Sequence, residues 1–509
     1  MRCLLAATGC VAFALSVGLS GAFADEMDTL VKRLGHPLAA ARQAAAEAIE
    51  DAGPGGRSAV VPLLRALKDD SADVRRAAIR TLGAVGIAPA QADDMVAALR
   101  DPDWMVRDQA AKVLAAAGIT SDATAQAIVA LLKDGDWRVR RAAAFALSGA
   151  RPANESVFAA MIEALSERLL NDDQWQIRSA AAFGLGRHGP AARGAVTALF
   201  DALRYDEPLV AEAAVEAIGL VGPMALGEIA AALEESFPTV RLGAARVAGT
   251  LGPEAGMAAR PLGKALQDRS VQLRRSAALS LGAIGPAAAS ALPLLIANLK
   301  DREWSVRWAS ARALGRLGGA AAAAVPALSE ALQDSDSRVC EAVAFALEGI
   351  GEAAQGSAPA LAAAVSGQFP AVCRIIDTTE TTRESGMDTG WTIRWAAARA
   401  LGAIGGAPDL TTPALTRALD DPVWQVRGVA ALSLGRIQTE AAIGPLVKAL
   451  TDESSPVRKA AATSLGDMGA TSVGALSMLA NVLNDPDRAV GDAAREAQLR
   501  IRRAAGLSD

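Results

Sequence analysis

Apolar residues along this chain fall at helical spacing, and the pattern itself recurs. The run from Leu294 to Pro326 shows one period. Leu294, Leu295, Ile296 and Leu299 predict a first helix, with Pro293 near its start, where a missing N–H costs nothing. Asp301-Arg302-Glu303 predicts a polar turn. Trp304-Ser305-Val306-Arg307 then opens a second helix, Trp308 to Leu317, which Gly318-Gly319 is expected to close. An aliphatic-arginine step marks the same point in most periods, at Arg42, Arg75, Arg107, Arg140, Arg178, Arg241, Arg274, Arg307, Arg394, Arg427 and Arg458. Ala211, Cys340, Cys373 and Gly491 stand where the arginine would be. Nine of the fourteen intervals between these anchors are 33 residues, and so regular a period is the mark of stacked repeats.

Alanine pairs follow the anchor, as in Ala77-Ala78, Ala142-Ala143, Ala277-Ala278 and Ala396-Ala397. Small side chains on one face let neighbouring helices approach to the short end of the usual ~8–10 Å separation. A single helix pair cannot bury its own apolar stripe, so each must stack on its neighbours. Six residues before most anchors lies an acid, among them Asp69, Asp101, Asp134, Asp172, Asp268, Asp301, Asp334, Asp421, Asp452 and Asp485. Such an acid can accept bonds from the free N–H groups of the second helix and meet an arginine of an adjacent repeat. Because each arginine travels with an acid, Arg75, Arg107, Arg140, Arg178, Arg241, Arg274, Arg307, Arg394, Arg427 and Arg458 are expected to form a structural ladder; the alternative is a row that binds anions.

The stretch Asp421-Pro422-Val423-Trp424-Gln425-Val426-Arg427 through Leu434-Gly435 resembles the HEAT repeats of the phycobilisome-lyase type. The resemblance runs over essentially the whole chain after residue 24 and implies an all-α fold, a right-handed α-solenoid of about 14–15 helix pairs. Its functional content is broad, because that repeat serves scaffolds, adaptors, chromophore lyases and a di-iron hydroxylase. The hydroxylase holds its irons with paired His-Glu motifs; His36 and His188 are the only histidines here, and neither precedes a glutamate. HEAT-like DNA glycosylases are basic, whereas this chain carries a net charge of −5. His36 reads as a surface residue, and His188 as a helix-end group that bonds carbonyls rather than as the base of a hydrolytic triad. No cofactor or metal site is expected, and protein partners rather than nucleic acid are.

Residues 1–24 are expected to be an export signal, with Arg2 as the only charge, an apolar run from Leu4, and the small-x-small Ala22-Phe23-Ala24. Cleavage there would leave an exported chain, periplasmic or secreted; an uncleaved anchor is the alternative. Residues 25–505 are expected to form one continuous solenoid with a short tail at 506–509. Arg, Asp and Gly interrupt every later apolar stretch, so no further membrane span is expected.

The breaks in the pattern supply the candidate sites. Trp104, Trp137, Trp175, Trp304, Trp391 and Trp424 share one repeat position, as a docking strip or as covers for neighbouring turns. Trp308 and Trp395 follow their anchors and are expected on the concave face. Only 21 residues separate Cys373 from Arg394, too few for a helix pair, so a degenerate repeat or loop is expected at about 370–390. Its polar segment includes Thr378, Glu380, Arg383 and Glu384, the candidate partner-binding residues together with Trp308, Trp391 and Trp395. Cys340 and Cys373 could form a disulfide in an oxidising compartment, although equivalent positions of stacked repeats lie beyond the ~7 Å Cα limit. The function expected is a non-enzymatic protein-binding scaffold; the alternative is an accessory subunit handling a cofactor or pigment with a partner enzyme.

Overall fold

The computed structural model describes residues 25–204, 207–368 and 390–507. The expected export signal, the segment containing Cys373, Thr378, Glu380, Arg383 and Glu384, and the Cys340–Cys373 pairing therefore lie outside the described residues. Every regular element among the described residues is a helix.

The chain divides into two compact units, Met1–Glu228 and Ile229–Asp509. In the first, the second helices of the repeats are α1 (Ala39–Asp51), α2 (Ala72–Val85), α3 (Trp104–Ala117), α4 (Trp137–Ser148), α5 (Trp175–Arg187) and α6 (Pro208–Val221). In the other they are α7 (Pro238–Leu251), α8 (Val271–Ile284), α9 (Trp304–Leu317) and α10 (Ser337–Ile350). The series continues there with α11 (Trp391–Ile404), α12 (Trp424–Ile437), α13 (Ser455–Asp467) and α14 (Arg488–Ala505). Within each unit, consecutive second helices pack side by side and the first helices form the other layer. First helices are short, as in Ala259–Ala265 and Val325–Ala331, and a 3₁₀ turn leads into each of these two. The exception is Glu155–Asn171, 17 residues long, which follows the widened interval before Arg178. Between the layers, Val306, Leu314 and Leu328 are fully buried, each such side chain contributing about 1.5–3 kcal/mol.

Glycine does two jobs in these repeats. The glycine of Leu281-Gly282 does not end its helix: α8 runs on past Gly282 to Ile284. A Cβ on Gly282 would come within 2.8 Å of the Ala313 Cα on α9, so this glycine permits close approach of two backbones. The chain turns three residues later, at Gly285 with φ 72°, a conformation that L side chains rarely adopt. Serine reinforces the same seam, since Ser280 Oγ donates to the Ala245 carbonyl of α7 at 2.7 Å.

Stretches Pro208–Ala232 and Val271–Lys300 are long and apolar enough to cross a membrane by length and composition. Each is broken by a glycine at positive φ, Gly222 or Gly285, where a second helix turns into the next first helix. Helix α11 packs directly on α10 and on the first helix Ala358–Val365.

Candidate functional site

The anchor arginines bridge successive repeats. Arg75 Nε and Nη2 donate to the two carboxylate oxygens of Asp101, while its Nη1 donates to the main-chain carbonyls of Asp69 and Asp70. Each acid in turn accepts an N–H at the start of its own second helix, as Asp101 does from Asp103 at 2.8 Å. The unit Met1–Glu228 repeats this geometry in Arg42–Asp69, Arg107–Asp134 and Arg140–Asp172. The unit Ile229–Asp509 has it in Arg241–Asp268, Arg274–Asp301, Arg307–Asp334, Arg394–Asp421, Arg427–Asp452 and Arg458–Asp485. Arg178 Nη1 donates to the Asp172 carbonyl at 2.8 Å. With four of its five N–H groups engaged inside the fold, an arginine such as Arg75 has little left for an outside anion. The bond from Arg458 holds the Asp485 carboxyl below the usual carboxylate range, against its partial burial.

Cys340 is buried at the same register, with Sγ 3.4 Å from the Asp334 carbonyl that an arginine Nη1 takes elsewhere. His36 fills the acid position of the first repeat, and its Nδ1 accepts the Leu38 N–H as a carboxylate does in the others. His188 is buried at the end of α5. Its Nδ1 lies 2.9 Å from Arg151 Nη1 and its Nε2 2.9 Å from the Leu147 carbonyl. Burial, then the charges of Arg151 and Arg187, push it down to about 4, so it is neutral and donates through Nε2. Among the described residues, no group of three or more His, Cys, Asp and Glu is placed to hold a metal ion.

All six tryptophans of the row open their second helices as the first helical residue. Two of them carry an arginine from the next repeat: Arg138 lies 3.6 Å above Trp104, and Arg338 lies 3.3 Å above Trp304. Those rings act as covers. Trp391 opens α11, half-buried.

Trp308 and Trp395 lie on the exposed side of the second-helix layer, in two separate hollows of the unit Ile229–Asp509. The larger, about 710 Å³, lies on α8, α9 and α10 and is lined by Trp304, Trp308, Phe345, Arg275, Arg312, Arg316 and Glu341. The smaller, about 440 Å³, lies on α11, α12 and α13 with Trp395, Trp424, Leu432, Arg399 and Arg436. Phe345 on α10 meets Trp395 on α11 edge-on, ring centres 5.9 Å apart, and Arg399 bonds Glu348 at 2.8 Å across the same seam. Arg312 stacks on Trp308 at 4.8 Å. Phe345, Arg312 and Arg399 were not singled out from the sequence, although all three stand five residues after an anchor.

This architecture of paired helices stacked within each unit defines an α-solenoid repeat protein. The model for HEAT repeats matches residues 27–115, 92–162, 162–228, 225–303, 292–375 and 411–498, and that for the PBS lyase HEAT-like repeat matches 393–421. The chain belongs to the HEAT-repeat family. No curated protein matches it. Among solved structures it is similar to Kap121p, with a TM-score of 0.56 at 14% identity, covering 96% of this chain and 57% of that one. Kap95p, in the structure that describes its effect on the switch loops of RanGDP, gives 0.54 at 13% identity over 95% of this chain and 73% of that one. Kap121p bound to the SUMO protease Ulp1p gives 0.56 at 13% identity, over 96% and 57%. The chain thus spans little more than half of Kap121p.

Proposed function

We propose that this chain is a non-enzymatic scaffold that binds protein partners on the exposed face of its second helices. The observation that carries this reading is the pair of aromatic hollows on α8–α13, where Trp304 and Trp424 remain 37% and 44% exposed. Exposed tryptophan beside arginine is the usual chemistry of an interface anchor. Kap121p, of similar fold, is seen bound to Ulp1p and Nup53p, so holding protein partners is a use to which stacked helix pairs are put. A photo-crosslinking residue at position 308 should trap discrete protein adducts in the native extract, and one at Ser329 on a first helix should not. Equal labelling from both positions would remove the reading.

The larger hollow also has the size of a small-molecule site, about 300–1,000 Å³, which keeps a cofactor-handling accessory subunit as the second reading. Native mass spectrometry of the isolated chain separates the two, because a constant non-peptide mass would favour the second. We further propose that the scaffold is exported, on the strength of the signal-like residues 1–24. Fractionation that leaves the chain in the cytoplasm would refute that part.

A further inference from the structure

The ladder arginines Arg274 and Arg307 each have a carboxylate, whereas Arg275, Arg312 and Arg316 line the larger hollow and make no ion pair among the described residues. The fourth arginine there, Arg338, is held by Asp336 at 2.7 Å and lies over Trp304. One carboxylate, Glu341, shares the hollow; burial pushes it up, and a bond with Thr392 on α11 partly offsets that. In a chain with a net charge of −5, the hollow is therefore a local concentration of unneutralised guanidinium beside aromatic faces. The smaller hollow repeats the composition: Arg399 is held by Glu348, while Arg436 has no carboxylate partner among the described residues.

We propose that this face, from α9 across α10 and α11 to α12, binds an acidic linear segment of a partner protein that carries an aromatic or aliphatic side chain toward each end. The proposal rests on the scaffold reading and names its partner chemistry. Guanidinium pairs best with carboxylate, in forked geometry, and Arg312, already resting on Trp308, is partly ordered for that contact. The apolar surfaces of Trp308, Phe345, Trp395 and Leu432 give the segment's side chains somewhere to dock. Three helix spacings of ~8–10 Å separate α9 from α12, which an extended peptide of about eight or nine residues at ~3.3 Å each would span.

The test is selection of displayed random nonapeptides on the full chain, followed by fluorescence-anisotropy titration of the enriched sequences. Enriched peptides should combine glutamate or aspartate with tryptophan, phenylalanine or leucine, and should bind more weakly as salt rises. Arg312→Glu with Arg316→Glu should weaken them by at least about tenfold, and so should Trp308→Ala alone. Neither change removes an ion pair found among the described residues, and circular dichroism checks that the variants fold. Enrichment of basic peptides, no enrichment, or binding indifferent to the charge reversal would overturn the proposal. So would preferential binding of single-stranded oligonucleotide over the acidic peptides. If crosslinking from position 308 still traps proteins while acidic peptides fail, the scaffold reading stands and only the partner chemistry falls.

Discussion

Asp301 shows how one side chain ties three segments together. Its carboxylate accepts Arg274 from the preceding repeat at 2.7 Å and the Glu303 N–H of its own turn, and its carbonyl accepts Arg307. Burial alone would push its pKa up, but the bonds from Arg274 and the Glu303 amide outweigh it and hold the group below the usual range. A carboxyl whose folded pKa lies below its unfolded value of about 3.9 adds stability above that pH, and this stability fades as pH falls through the folded value. Asp301→Asn should cost about 2–3 kcal/mol at neutral pH, the scale of a lost charged hydrogen bond at a nearly buried site. Its thermal midpoint should also fall less steeply than that of the wild type between pH 5 and pH 3. Parallel curves for the two proteins would show that this rung carries no such linkage. The pairing of arginine with acid was legible in the sequence because both recur at fixed offsets. The partner lies one repeat onward, since the arginine reaches forward to the next acid and touches only the carbonyl of its own.

At the scale of the element, the second helices touch most closely through glycine, alanine and serine. Gly282, Gly315 and Gly466 face the Cα atoms of Ala313, Ala346 and Ala497 at 2.7–2.8 Å from where a Cβ would sit. Gly315→Ala must therefore push α9 and α10 apart and should lower stability by about 1–3 kcal/mol, despite alanine's better helix propensity. Gly428→Ala is the contrast, because its nearest neighbour would be Val457 Cγ2 at 3.9 Å; it should be neutral or stabilise by up to ~1 kcal/mol. Chemical denaturation of both variants measures this, and equal effects would refute the close-approach account. Near a helix end the sequence suggests a cap, as at Gly318-Gly319, and a contact glycine looks the same in one dimension. Only the packing of helices 33 residues apart tells Gly282 from Gly285. The same limit hid Phe345 and Arg312, whose role depends on what the neighbouring helix brings beside them.

On the scale of the whole molecule, each unit is a stack in which a repeat is stabilised by its neighbours, so removing one repeat weakens the next. In the unit Ile229–Asp509, α14 buries Val490, Ala494, Ala497 and Ile501 on one side. Arg488, Asp492, Arg495 and Arg500 lie on its other side, about half exposed or more. That side of α14 is therefore charged rather than apolar. Ending the chain at Met468 would uncover Gly466 where it meets Ala497, and would strip Arg458 of Asp485. Such a truncation should lower the thermal midpoint by at least about 4 °C, the effect of roughly 1–2 kcal/mol in a stack of this size, and should cause self-association visible by light scattering. Arg488→Glu within the full chain alters only the outer face and should leave both readings unchanged. A truncated chain that stays monomeric with an unshifted midpoint would mean that α13 and α14 are not energetically coupled, against the close glycine–alanine contact and the arginine–aspartate rung that join them.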